Sequence, residues 1–179
     1  MSSENTLNGS ARSVVLGPGE GRVLSLGPGA DVTLKAVRQD SNGTISAYEF
    51  TLPPGVAGPP VHLHRGWDEV FYVLDGEMTF LIDGETSKAP AGSFVFVPRG
   101  IFHTFWNEGP AHARQLIVFT PSGIEDYFEE LSSSLSPGHE PDLHEAIALL
   151  EKHDSIVPAG TVQGYGSLSG PATSPAAPD

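Results

Sequence analysis

Three histidines and one glutamate stand out because their spacing lets them share one point in space. His62 and His64 are two residues apart, and side chains at i and i+2 of a strand leave the same face. Both imidazoles can therefore aim at a common centre. Glu69 heads the run EVFYVL after a bend at Arg65-Gly66, and His103 arrives from FHTFW, further along the chain. The chain has no cysteine, so any metal must rely on His, Asp, Glu and water. Three neutral imidazoles and a carboxylate suit one divalent first-row transition metal, Fe, Mn, Ni, Co, Cu or Zn. They suit Ca or Mg poorly, since those ions prefer oxygen shells. Four protein ligands leave an octahedral ion two open positions, which a bidentate substrate, or substrate plus O2, can take. A single strand histidine is more often a satisfied polar residue than a ligand, so the reading depends on the four converging.

The elements that must position these residues are strands. Short runs rich in Val, Ile, Phe, Tyr and Thr, broken by Gly, Pro, Asn and Asp, fill residues 13–120: SVVL, RVLSL, DVTLKAV, GTISAYEFTL, EVFYVL, EMTFLI, SFVFV, FHTFW and ARQLIVF. Asp75-Gly76 and Asp83-Gly84 sit between such runs as hairpin signals, since both residue types tolerate positive φ. Asn42-Gly43 repeats the signal. About nine short strands without intervening helices imply an antiparallel sandwich or barrel, an all-β fold.

Residues 1–12 lack periodicity and read as a flexible N-terminus. Residues 121–154 read as a C-terminal helical extension. Ser122 and Glu125 have capping-box spacing ahead of the stripe Ile124, Tyr127, Phe128 and Leu131. A Ser, Pro and Gly loop follows, and then Pro141 as a first helical residue before Leu143, Ile147 and Leu150. Residues 155–179, dominated by Gly, Pro, Ala and Ser, read as a disordered tail.

Composition sets the outer bounds. A chain of 179 residues is one domain of ordinary size, and 39% hydrophobic content can form a core. Gly (21) and Pro (16) are too frequent for a helical bundle and favour many turns. A net charge of -13 repels phosphate backbones and anionic lipid heads, which argues against nucleic-acid and membrane-surface partners. The polar start MSSENTLNGS does not read as a signal peptide, and no apolar run is long enough to span a bilayer. The expectation is a soluble cytoplasmic protein.

The four candidate ligands fall inside a longer pattern. His62-x-His64-x4-Glu69-x6-Gly76 is followed, across residues 77–91, by Gly92-x5-Pro98-x-Gly100-x2-His103-x3-Asn107. These spacings resemble the two motifs of the cupin superfamily, over residues from about 43 to 120, in the arrangement of single-domain quercetinase-like (quercetin 2,3-dioxygenase-like) cupins. One departure is Val56, where the pattern has a glycine six positions before the first histidine. The resemblance implies a double-stranded β-helix, or small jelly-roll barrel, with His62, His64, Glu69 and His103 as metal ligands inside it. It also implies a homodimer formed by packing one sheet on its twin, or by exchange of N-terminal strands from segment 13–38. Gly76, Gly100 and Pro98 read as scaffold turns, and Asn107 as a support of the barrel end.

Taking the ligands as inward, alternation turns Phe71 and Val73 in with Glu69, and Phe105 in with His103. Apolarity favours Tyr48 and Phe50 over Ala47 and Glu49 as the inward pair before the first motif. On the last strand, Arg114, Leu116 and Val118 form one face and Gln115, Ile117 and Phe119 the other, with nothing to choose between them. The substrate pocket read from this is apolar and aromatic: Tyr48, Phe50, Phe71, Val73 and Phe105. Lys35, Lys88 and Lys152 lie away from the motifs, so a phosphosugar lacks its clamp and a flat aromatic or polyketide-like molecule fits better. The first helix packs either over the barrel mouth as a lid or on an outer sheet. Trp67 stands at a dimer contact or at the entrance, and His112, His139, His144 and His153 read as exposed.

The function expected is a metal-dependent oxygenase of a small aromatic or enol-type substrate, with Glu69 as ligand and proton acceptor. One alternative is a non-redox cyclase, isomerase or decarboxylase of secondary metabolism. Another is a non-catalytic small-ligand-binding module.

Overall fold

The computed structural model describes residues 11–135, 141–162 and, as backbone, 166–167. In chain order the elements are β1 (Arg22–Ser25), β2 (Asp31–Ala36), α1 (Arg38–Ser41), β3 (Ser46–Leu52), β4 (Val56–Ala57), β5 (Leu63–His64), β6 (Asp68–Asp75) and β7 (Glu77–Ile82). They continue with β8 (Glu85–Pro90), β9 (Phe94–Val97), β10 (His103–Asn107), β11 (Ala113–Thr120), α2 (Glu125–Ser134), α3 (Leu143–Lys152), β12 (Ser155–Ile156) and β13 (Gly166–Ser167). One sheet has the order β1-β2-β3-β11-β6-β9 and the other β13-β4-β10-β7-β8; β12 and β5 form a small separate pair. Every pairing is antiparallel. The result is the all-β jelly roll, with short helices added at one end.

Alternation drives the packing. In β3, Ser46, Tyr48, Phe50 and Leu52 are buried while Ala47, Glu49 and Thr51 are only partly covered. Glu49 on the outer face pairs with Lys35 at 3.1 Å and Arg114 at 2.8 Å. In β11 the inward set is Ala113, Gln115, Ile117 and Phe119, which decides the face that alternation left open. The register explains the choice, because Phe119 lies opposite Glu69 and Ile117 opposite Phe71, and residues directly opposite share a face. Trp106, on the back of β10, joins Ala57, Val61 and Leu81 in a smaller outer cluster.

The turns divide into two kinds. Asp83 and Gly84, at φ 48 and 82, close a two-residue hairpin between β7 and β8, as their residue types favour. Asp75-Gly76 does not form a hairpin: β6 and β7 belong to different sheets, and the turn carries the chain across the barrel edge. Gly76 has φ +71, and a Cβ there would lie 2.8 Å from the His112 carbonyl oxygen, so the corner requires glycine on two counts. Asn42-Gly43 likewise ends α1, with the Gly43 N–H on the Arg38 carbonyl at 3.0 Å. That helix was not expected within the strand region.

Other expectations need correction. Ser13–Leu16 has strand-forming residues but no partner strand among the described residues, and Val15 is 93% exposed. Conversely ETSKAP, absent from the strand-like runs, forms β8, a polar sheet edge ending in proline. Segment 155–179 is not loose throughout: Ser155 pairs with His64 and Ile156 with Leu63, and β13 pairs with β4. Residues 1–10 of the N-terminal arm, 136–140 with His139, and 163–165 and 168–179 of the tail lie outside the described residues.

The helices cover the barrel mouth. Ser122 does not cap α2, and its hydroxyl is buried without a partner. The Glu125 carboxylate instead reaches toward the barrel, where it accepts from the backbone N–H of Arg38 at 2.7 Å and of Gly123 at 2.9 Å, Ser46 Oγ at 2.7 Å and Tyr48 OH at 3.2 Å. In α3 the cap is Asp142, accepting from the N–H groups of His144 and Glu145, so Pro141 precedes the helix rather than opening it. Ala146 and Leu150 are its buried residues; Leu143 and Ile147 are only partly covered. His153 is not exposed as expected: it packs beside Tyr127 and meets Glu130 at 2.9 Å.

Burial favours the neutral form of Glu125, but the hydrogen bonds from Ser46 and the backbone outweigh it and hold its pKa below the ordinary glutamate value. The stability this contributes is present above the unfolded value, about 4.3, and is lost as pH falls through the lower folded value. Glu125→Ala should cost on the order of 3 kcal/mol at pH 7 by orphaning buried donors, roughly 6–12 °C in melting temperature. Glu125→Gln should be less stable than wild type at pH 7 and lose less on acidification between pH 5 and 3, as measured by thermal melts across that range.

Candidate metal centre and cleft

The site is assembled by direct backbone contact between the two motifs. The His62 N–H donates to the His103 carbonyl at 3.0 Å, and the His103 N–H donates back at 2.8 Å. This antiparallel bridge sets the two ring centroids 4.5 Å apart. His64, two residues on, turns its ring to the same point, 4.6 Å from that of His62. Its carbonyl accepts from the Gly100 N–H at 2.8 Å, at the turn before His103. Glu69 comes inward from β6, with Oε2 2.8 Å from His103 Nε2 and 3.4 Å from His64 Nε2.

All four side chains are buried. One nitrogen from each histidine lies within 4.8 Å of the other two, and Glu69 adjoins this trio from the side of His64 and His103. Each ring has its Nδ1 against a protein oxygen: Pro60 carbonyl for His62 at 2.8 Å, Ile101 carbonyl for His103 at 2.9 Å, and Ser155 Oγ for His64 at 3.0 Å. An Nδ1–H donating outward leaves the Nε2 lone pair aimed at the shared centre, the arrangement a metal-binding imidazole needs.

The electrostatics agree with that donor set. Burial lowers the pKa of His62 well below the ordinary histidine value, and the neighbouring rings His103 and His64 add to it. Burial also lowers that of His64, partly offset by Glu69. Both are therefore neutral at pH 7, as ligands must be. Burial pushes Glu69 up, but the adjoining His103 and His64 outweigh it and hold its pKa below the ordinary glutamate value. Three buried imidazoles and a carboxylate thus fit a divalent first-row ion.

The cleft beside this centre measures about 320 Å³, counting the space at its mouth. Phe50, Phe105, Ile117 and Phe119 wall it from the barrel, while Ile124, Tyr127 and Phe128 of the α2 segment and Leu150 of α3 cover it. The first helix of the C-terminal extension, α2, is therefore at the mouth, not on an outer sheet. Of the expected pocket residues, Phe50 and Phe105 line the cleft. Tyr48, Phe71 and Val73 point inward but do not line the cleft: Tyr48 packs against Phe119 and Phe128, and Phe71 against Phe80 and Phe105. Trp67 packs 5.6 Å from the His64 ring and donates to the Ser122 carbonyl, tying the first motif to the α2 approach. Asn107 supports the barrel end, donating to the carbonyls of Leu52, Pro53 and Ala111.

Residues 48–119 match the family model described as Cupin domain. The chain is 28% identical over 89 residues to quercetin 2,3-dioxygenase of Bacillus subtilis (strain 168), covering 49% of this chain and 26% of that protein. It is 34% identical over 88 residues to oxidoreductase iacF of Pestalotiopsis fici, covering 46% and 42%. The chain thus spans less than half the length of either curated relative. Among solved structures it is similar to an RmlC-like cupin from Shewanella frigidimarina, at 23% identity and TM-score 0.53, covering 65% of this chain and 99% of that one. It is also similar to the polyketide cyclase RemF from Streptomyces resistomycificus, at 25% identity and TM-score 0.52, covering 60% and 79%. Residues 48–119 thus match the Cupin domain model, and the two-sheet barrel around them has the cupin jelly-roll fold.

Metal binding is directly measurable. Co2+ or Ni2+ at about a hundred times its dissociation constant should stabilise the folded chain by about 2.7 kcal/mol, roughly 5–11 °C by differential scanning fluorimetry. Mg2+ and Ca2+ should leave the melt unchanged, and His103→Ala should lose the response to Co2+ and Ni2+. Elemental analysis of protein purified without chelators gives the occupancy directly.

Proposed function

We propose that this protein is a metal-dependent oxygenase that uses O2 on a small, flat enol or phenol. The observation that carries the reading is a three-histidine, one-glutamate cluster opening into a cleft whose other walls are aromatic and aliphatic. Similarity to quercetin 2,3-dioxygenase and to an oxidoreductase supports the reaction class. Among the described residues no lysine or arginine lines the cleft, so it lacks a clamp for a phosphorylated substrate.

A divalent ion held by His62, His64, His103 and Glu69 would act there as a Lewis acid toward an enol or phenol oxygen, with open positions for substrate and O2. The chain's own residues do the rest. Glu69, ionised and in a dry wall, accepts the hydroxyl proton on Oε2. Phe50, Phe105 and Phe119 hold the flat face of the substrate, and Tyr127 and Phe128 exclude water from above.

A second reading keeps the metal and drops O2. The likeness to RemF covers 79% of that chain, against 26% of the dioxygenase, which favours a cyclase acting on a polyketide-like substrate. Oxygen-electrode assays with flavonols and related enols separate the two. Oxygenase activity should consume O2 and stop under anaerobic conditions, whereas turnover that continues without O2 would move the protein to the second reading. Glu69→Gln should lower kcat by about 10²–10⁴-fold, with metal content measured in parallel to separate the loss of a base from the loss of a ligand.

The partner we propose is a second copy of the chain. Tyr72, Leu74, Phe94 and Phe96 form an exposed apolar face on neighbouring strands β6 and β9, with Phe94 65% and Phe96 53% exposed. A patch of this kind marks an interaction surface, and a two-fold pairing covers it with its own twin. Light scattering should give twice the chain mass for wild type and the single-chain mass for the double variant Phe94→Asp, Phe96→Asp.

A further inference from the structure

We propose that Ser155 is the positioning residue for His64, so that the segment following α3 belongs to the metal centre although it lies outside the cupin domain. This rests on the reading of the histidine cluster as a metal site.

The three imidazoles are not oriented alike. His62 and His103 each place Nδ1 on a carbonyl two residues earlier in the chain, Pro60 and Ile101, so their orientation is local. His64 has no such carbonyl. Its Nδ1 partner is Ser155 Oγ at 3.0 Å, from a residue 91 positions away in sequence. Ser155 is 1% exposed, so water cannot readily replace it. With Nε2 turned to an ion, Nδ1 must carry the proton and donate it to the hydroxyl oxygen, which fixes both the tautomer and the ring angle.

The hydroxyl is itself held in place by backbone. Ser155 pairs with His64, and Ile156 with Leu63, across the β5–β12 bridge. One residue earlier, the Asp154 carbonyl accepts from the Arg65 N–H at 3.1 Å. Gly66 completes the fit, since a Cβ there would lie 3.0 Å from Asp154 Oδ2. The same segment leads back through α3 to Leu150, which covers the cleft. One continuous stretch, 150–156, thus contributes to the roof of the cleft and sets the angle of a ligand at its base.

The test uses Co2+ as the probe, with full-length wild type, Ser155→Ala and Ser155→Thr. Affinity is measured by competition with a chelating dye, the ligand field by visible absorption, and fold integrity by the melt of the metal-free proteins. Ser155→Ala should bind Co2+ roughly 10–100-fold more weakly with a shifted absorption band and a metal-free melt close to wild type. Ser155→Thr, which keeps the hydroxyl, should recover most of the affinity. If wild type binds Co2+ and Ser155→Ala matches it in affinity and spectrum, or if Ala and Thr are weakened alike, the role of Ser155 is overturned while the metal site stands. If wild type takes up no Co2+, the metal reading itself fails and the inference falls with it.

Discussion

The molecule depends on one requirement: four polar side chains must be buried together without leaving their hydrogen-bonding atoms unpaired. An unpaired polar atom in a dry interior costs more than a hydrogen bond gains. The barrel meets this by committing one nitrogen of each imidazole to a fixed protein oxygen, leaving the other nitrogen to the shared centre. The reciprocal backbone bonds between His62 and His103 make that geometry a property of the sheet rather than of flexible side chains. Opposing aromatic layers then keep water away. Binding geometry and fold are consequently hard to separate, since the strands that close the barrel are those that carry the donors.

Two buried carboxylates show how the environment divides structural from chemical roles. Glu125 accepts four hydrogen bonds from the backbone and hydroxyl groups of Arg38, Gly123, Ser46 and Tyr48. Its charge is matched by fixed donors and has nothing left to offer a ligand, so it secures α2 to the barrel. Glu69 is equally buried, yet its partners are the imidazoles of His103 and His64. Those contacts can be exchanged for an ion or a proton without breaking the fold. Burial alone would not have told the two glutamates apart; the identity of their partners does.

Much of this was legible in the sequence because period-two alternation is a direct consequence of strand geometry. The His62, His64 spacing and the inward placement of Tyr48, Phe50, Phe71 and Phe105 follow from it. The failures have physical reasons as well. Leu116 and Val118 are as apolar as Ile117 and Phe119, so alternation alone could not orient β11; only its register against Glu69 could. Ser13–Leu16 has the composition of a strand without a neighbour to complete it, whereas β8 is too polar to be read as one and is held by its pairing with β7. Cleft lining also escaped the sequence: Tyr48 and Phe71 face the interior, but packing against other rings keeps them out of the cleft wall. Ser155 carried no signal, being a small polar residue beside a Gly and Pro-rich tail whose partner is 91 positions away.

The two helices over the cleft differ in how freely they can change. α3 is joined through β12 to the ring of His64, so altering its position disturbs the donors. The α2 segment is anchored by Glu125 at its first turn, while Ile124 and Phe128, whose side chains carry no hydrogen-bonding group, touch the cleft. Exchanging those two side chains for larger or smaller ones therefore alters which molecules are admitted while the inner coordination geometry stays intact. New substrate preferences can evolve at this ceiling independently of the reactive centre below it.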